Sequence, residues 1–177
     1  MQRLEEPILA FVDTETTHLN PKVGEIVEIA IILIKNNHIL NVIEHKVKPA
    51  HPRALEVNGY KEADWSNAIS QQDCAEIIRD HLNHTVIIGH YIRFDLSFLQ
   101  ALMKQYNIAF DVSHAPNLCT KDLAKSVYRN NPTIRNYRLD TLREHFGWSK
   151  QGAHTALKDT VDCCKLFYKC ISAPCPL

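Results

Sequence analysis

Apolar positions recur along this chain with two different spacings, and the change from one to the other organises it. The early apolar runs are short and almost continuous. Ile8–Val12 ends at an acid and predicts a strand over Ile8–Asp13. Ile26–Ile34 is nearly unbroken, as a strand covered on both faces would be. Ile39–Val47 is more polar and predicts a third strand nearer a sheet edge. Between the last two lies Asn36-Asn37. Asparagine tolerates the positive φ of a tight hairpin turn, so these strands are expected to pair antiparallel.

The rhythm then becomes helical. Asp73–His81 reads as a helix and Thr85–Gly89 as a short strand. Asp95–Tyr106 places Leu96, Leu99, Leu102, Met103 and Tyr106 on one helical face. A short strand or turn is expected around Leu118, with helices following at about 121–129, 138–146 and 154–170. An opening of antiparallel hairpins followed by alternating helices and strands predicts an α/β fold, a mixed sheet with helices flanking it. Residues 1–171 read as one domain and 172–177 as a short tail.

Charge narrows the function. The 177 residues carry 20 Lys+Arg and 20 Asp+Glu, so the net charge is zero. A protein that held DNA by bulk charge would be basic. Any nucleic-acid contact must therefore be local or carried by metal ions. The longest uncharged apolar run, Ile29–Ile34, is far below the ~18 residues of a membrane span. The first run is too short for a signal-peptide core. The expectation is a soluble, cytoplasmic protein with no membrane partner. Six cysteines without a CxxC pair, two of them adjacent at Cys163 and Cys164, suit reduced thiols better than a disulfide framework or a zinc site.

The neutral total hides an asymmetry. Residues 1–30 hold six acids and two bases, whereas 121–150 hold seven bases and three acids. The basic stretch could track phosphates, with Tyr128 and Tyr137 available for stacking. Arg135 and Arg138 are the candidate grips on a single-stranded backbone, and a solvated helix surface is the plain alternative.

Three places carry candidate chemistry. Asp13-Thr14-Glu15 follows the first strand directly, and side chains two apart on a strand point the same way. Two converging carboxylates repel unless a cation intervenes, and hard oxygen ligands suit Mg²⁺ or Mn²⁺. Asp95 opens the helix after Thr85–Gly89, where an acid also suits the helix dipole. His154 and Asp159 lie at the start of the last helix. Histidine titrates near neutrality and can take a proton from water. Each feature alone has an ordinary structural reading. Together, four carboxylates could hold two divalent ions and a histidine could act as general base, the equipment of two-metal phosphoryl transfer.

The segments Phe11-Val12-Asp13-Thr14-Glu15-Thr16-Thr17, Gly89-His90-Tyr91-Ile92-Arg93-Phe94-Asp95 and His154-Thr155-Ala156-Leu157-Lys158-Asp159 resemble, in order and spacing, the three exonuclease motifs of the DnaQ-like DEDDh family. The resemblance implies a ribonuclease-H-like fold and 3′→5′ hydrolysis of nucleic acid to 5′-mononucleotides. It also implies that Asp13, Glu15, Asp95 and Asp159 hold two Mg²⁺ or Mn²⁺ ions, with His154 as the base. Thr14, Thr16, Thr17, His18, Leu19, Asn58, Tyr91 and Phe94 become candidate substrate contacts. Leu19 matches the family's apolar wedge against the last bases, with core packing as its alternative. Asn58 matches a segment that contacts the terminal nucleotide, with an Asn-Gly turn as its alternative. His18 stands where the family often has glycine, and Tyr91 where it often has asparagine; the Tyr91 ring could stack on a base or simply pack. The expected partner is the 3′ end of single-stranded DNA, with RNA as the alternative polymer and an idle binding or assembly subunit as the alternative role. Little chain follows the last helix, so a stand-alone enzyme, a homodimer or one recruited by a protein complex is expected.

Overall fold

In a computed structural model, the chain is described over residues 6–50, 65–172 and 174–177. Five strands form one mixed sheet: β1 (Ile8–Thr16), β2 (Ile26–Lys35), β3 (His38–Lys46), β4 (Thr85–Gly89) and β5 (Asn117–Cys119). Their order is β3-β2-β1-β4-β5. The first three pair antiparallel, and β4 and β5 join parallel to β1. Asn36 and Asn37 adopt φ of 51° and 62° and turn the β2–β3 hairpin as expected. β3 is the edge strand, with Leu40 and Val42 exposed.

β1 continues three residues past the expected stop at Asp13. The ladder explains this: Asp13, Thr14 and Glu15 stay in register with Ala30, Ile29 and Glu28. An acid does not end a strand whose backbone still has a partner.

The helices are α1 (Gln71–Leu82), α2 (Arg93–Gln105), α3 (Thr120–Val127), α4 (Leu139–Phe146) and α5 (Ala156–Cys170). α1 starts earlier than the apolar spacing implies because Ser70 caps it. The Ser70 hydroxyl accepts from the Asp73 N–H at 3.0 Å, and Asp73 Oδ2 accepts from the Ser70 N–H at 3.3 Å. α4 ends on Gly147, whose φ of 68° suits a residue without Cβ. α5 begins at Ala156, capped by Thr155, so His154 lies in the turn before it.

The central strand is buried on both faces, and its alternation sorts the core. Ala10 and Val12 face α1 and α2, meeting Ala75, Ile78, Leu99 and Leu102. Phe11 faces α5 and packs with Cys163, Cys164 and Phe167. A smaller cluster of Ala124, Ile134, Leu142 and Leu166 joins α3 and α4 to α5. At the end of β4 the chain passes close to β1, and a Cβ at Gly89 would collide with the Ile92 side chain and press on the Val12 carbonyl. Parallel pairing brings the ends of β1 and β4 to the same edge of the sheet, which is where the acids collect. No helix among the described residues is long and apolar enough to cross a membrane.

Candidate active site

The alternation along β1 continues through its last residues and divides the acidic tripeptide between the two faces. Asp13 and Glu15 follow Phe11 onto the α5 face. There Asp13, Glu15 and Asp159 each offer a carboxylate oxygen, all within 4.8 Å of one another. Thr14 follows Val12 onto the α2 face and meets Asp95. Its N–H and hydroxyl both donate to Asp95 Oδ1, at 3.0 and 2.7 Å. Asp95 is not among the three acids whose oxygens lie within 4.8 Å of one another, yet its charge is the largest acting on Asp13.

The electrostatics fit a cation-binding site. Burial, then Asp95, Asp159 and Glu15, push the Asp13 carboxyl well above the usual carboxylate range. Glu15 is raised to about 7 by burial and by Asp159, Glu28 and Asp95. Burial raises Asp95 to about 7 against the lowering effect of the Thr14 bonds. At Asp13 and Glu15, burial and neighbouring acids outweigh the positive charge nearby, and hard divalent cations would supply more of it to an all-oxygen donor set.

These shifts make a stability prediction. In metal-free protein, Glu15 and Asp95 hold protons in the folded state up to about pH 7, whereas unfolded they ionise near 4. The folded state then binds more protons between these limits. Stability should fall as pH rises from about 4 to 7, and added Mg²⁺ or Mn²⁺ should reverse the loss. Thermal melts in EDTA across this range check it; a flat or rising midpoint would contradict the cluster's electrostatics.

Asp159 is held on one side. Its Oδ1 accepts from Arg143 Nη2 at 2.6 Å and from the His154 N–H at 3.1 Å. His154 itself sits at φ 69°, in the turn that follows Gly152 at φ 75°. Its side chain is 73% exposed, and Nε2 lies 3.8 Å from Asp140 Oδ2.

Sequence reasoning missed three residues here. Glu28 opposes Glu15 across the β1–β2 ladder and accepts from the Ala156 N–H at 3.0 Å, which ties the start of α5 to the sheet. Burial raises its pKa too. Only the strand register could have revealed it. Arg143 falls within the basic stretch 121–150, but it is fully buried beneath the acids; nothing in its local sequence separates it from its exposed neighbours. His90 is pushed down to about 4, chiefly by burial, and is neutral. Its Nε2 donates to the Tyr137 carbonyl at 3.0 Å and its Nδ1 accepts from the Thr120 hydroxyl at 3.1 Å. The carbonyl can only accept, which sets this tautomer.

The substrate candidates separate. Leu19 is 83% exposed, which removes core packing as its explanation, and Val23 on the same loop is exposed too. His18 is exposed; its Nδ1 accepts from the Asn20 N–H at 2.9 Å, and its carbonyl accepts from the Thr16 hydroxyl at 3.0 Å. Thr14 and Thr17 are buried with their hydroxyls turned to protein partners, Thr17 accepting from the Glu25 N–H at 2.9 Å. Tyr91 is exposed at φ 67°, with the Lys121 ammonium 4.7 Å from its ring centroid. Phe94 packs against Phe98 at 5.0 Å in the α2-side core. Arg135 is exposed but pairs with Glu144 at 3.1 Å, an acid that Lys150 also contacts. Arg138 is exposed at the N-terminal end of α4. Asn58 lies outside the described residues.

A family model described as Exonuclease (RNase_T) matches residues 10–167. The chain belongs to this exonuclease family. Within reach of the same family, it is 26% identical over 164 residues to the DNA polymerase III subunit epsilon of Aquifex aeolicus, covering 89% of this chain and 77% of that relative. It is 27% identical over 165 residues to the 3′-5′ exonuclease DinG of Staphylococcus aureus, covering 89% of this chain but only 17% of DinG. The solved structure of E. coli exonuclease I in complex with a dT13 oligonucleotide superposes with a TM-score of 0.78 at 17% identity. That match covers 94% of this chain and 41% of exonuclease I. The mixed sheet is thus the ribonuclease-H-like exonuclease fold, and the protein is an exonuclease, a phosphodiester hydrolase with an acidic cluster that could bind metal. It spans most of the epsilon relative and a minor part of the other two.

Proposed function

We propose that this exonuclease is metal-dependent, works in the 3′→5′ direction on single-stranded DNA, and releases 5′-mononucleotides. The observation that carries this reading is the meeting of Asp13, Glu15 and Asp159 within 4.8 Å at the sheet edge, with the charge of Asp95 bearing on Asp13 and His154 at the rim. The direction and polymer draw on relatives: one is named a 3′-5′ exonuclease, one a DNA polymerase subunit, and one fold neighbour was solved with a DNA oligonucleotide.

The four carboxylates are the residues that would hold two Mg²⁺ or Mn²⁺ ions. Such ions, when bound, activate water and stabilise the charge of the leaving oxygen. The chain's own residues do the rest. His154 takes the proton from the attacking water, whose oxygen forms the new bond to phosphorus. The bond from phosphorus to the 3′ oxygen of the preceding nucleotide breaks. A 5′-mononucleotide leaves, and the 3′ oxygen of the shortened strand takes up a proton from solvent to become a 3′-hydroxyl. The Thr14 bonds to Asp95 and the Arg143 and His154 N–H bonds to Asp159 each fix one oxygen of an acid, which orients the other. Leu19 and Val23 present apolar surface for the terminal bases, Tyr91 a stacking ring, and Arg138 a contact for phosphate. A single-stranded end suits this site because splaying paired nucleotides would cost a few kcal/mol more.

The test is a gel of 3′- and 5′-labelled DNA and RNA oligonucleotides with Mg²⁺, Mn²⁺ or EDTA. A metal-dependent ladder shortening from the 3′ end, faster on DNA, is expected. A faster RNA ladder would move the assignment to RNA trimming, and no ladder with any metal would leave an idle binding subunit.

A further inference from the structure

The cluster that stands out beneath the acids is centred on Arg143, a side chain with 0% exposure in contact with three carboxylates. Its Nε donates to Asp162 Oδ2 at 2.6 Å, its Nη2 to Asp159 Oδ1 at 2.6 Å and its Nη1 to Asp140 Oδ1 at 2.8 Å. Asp162 is itself fully buried. Its Oδ2 also takes Lys158, and its Oδ1 meets no hydrogen-bond partner among the described residues. A buried ion cluster of this kind is no efficient way to stabilise a fold, because desolvation offsets most of its attraction. The geometry gives it another use. Asp159 belongs to the acid cluster, and the other oxygen of Asp140 faces His154 Nε2 at 3.8 Å. One rigid guanidinium, anchored on Asp162, therefore ties α5's acid to the α4 carboxylate that faces the base.

We propose that Arg143 is a positioning residue that holds the two halves of the active site in register: Asp159 directly, and His154 through Asp140. In the second arm the Asp140 carboxylate lies 3.8 Å from His154 Nε2, an ion-pair contact that holds the ring near the water it would deprotonate. Only the planar fork of arginine reaches three acids at once; lysine offers one point charge. The inference rests on the roles given above to Asp159 and His154, and it adds the chain's own means of aligning them.

The experiment pairs kinetics with ion binding. Arg143→Lys should weaken Mn²⁺ binding to the metal-stripped protein, followed by electron paramagnetic resonance, by about tenfold or more, the usual scale for losing a group that orients a ligand. Asp140→Asn, a change at a half-exposed position that leaves α4 intact, should bind Mn²⁺ as the parent does. It should lower kcat about tenfold with KM unchanged, and it should cost nothing further in a His154→Ala background. If Arg143→Lys folds and binds Mn²⁺ like the parent, the first arm is overturned. If Asp140→Asn keeps full kcat, or loses as much without His154 as with it, the second is overturned. Should Arg143→Lys fail to fold, the Asp140 cycle still decides. The ion-binding measurement needs no turnover, so failure of the exonuclease reading shows separately, as a parent protein that binds Mn²⁺ and cuts nothing.

Discussion

Asp13→Ala is expected to lower nucleotide release by on the order of 10³-fold or more, because losing several kcal/mol of ion-borne charge stabilisation costs tenfold per ~1.4 kcal/mol. The same change should raise the thermal midpoint of the metal-free protein. The sign follows from the carboxyl's environment. Burial and three neighbouring acids push its pKa well above the value it has unfolded. Above that unfolded value, near 4, ionising Asp13 costs the folded state more than the unfolded one. Alanine removes the cost and leaves the β1 backbone pairing to Ala30 in place. Melting both proteins in EDTA at pH 8 and assaying them in Mg²⁺ checks both halves. A lower midpoint for the variant would show that Asp13 supports the fold rather than straining it.

His154→Ala carries the second large effect. The expected loss in single-turnover rate is on the order of 10²–10⁴-fold, the scale of a missing general base. Ion binding should be retained, because His154 bonds to Asp159 through its backbone N–H, which alanine keeps. The mostly exposed imidazole contributes little to packing, so the midpoint should move little. Measuring rate and Mn²⁺ affinity on one preparation separates the two. A rate loss under about threefold would remove the base assignment, and an equal loss of ion binding would make His154 part of the metal site.

Much of the fold was legible because local rules governed it. The Asn36-Asn37 turn needed only asparagine's tolerance of positive φ, and Thr85–Gly89 needed only a short apolar run between helical patterns. The acids Asp13, Glu15, Asp95 and Asp159 were legible because each sits beside a recognisable strand or helix end. What stayed hidden depends on long-range register. Glu28 joins the site only because β2 lies antiparallel to β1 with Glu28 opposite Glu15. Arg143 reads as one more base in a basic stretch until α4 packs against α5 and turns it inward. The split between Asp13 and Thr14 follows from strand alternation, but the partner waiting on each face does not. Boundaries erred where capping or ladder pairing overrode apolar spacing, at Ser70 and at the end of β1.

The contact at Gly89 bears on how such an enzyme can diversify. Beside the strands that carry Asp13 and lead to Asp95, a Cβ at residue 89 would meet the Val12 carbonyl at 3.0 Å and push aside the end of the Ile92 side chain. The acids at these strand ends hang on paired main chain next to that close approach. Leu19 hangs on a loop outside that contact, whereas Tyr91 lies within it, next to Ile92. Evolution, or an engineer, can vary the exposed Leu19 loop without touching the strand ends that carry the acids.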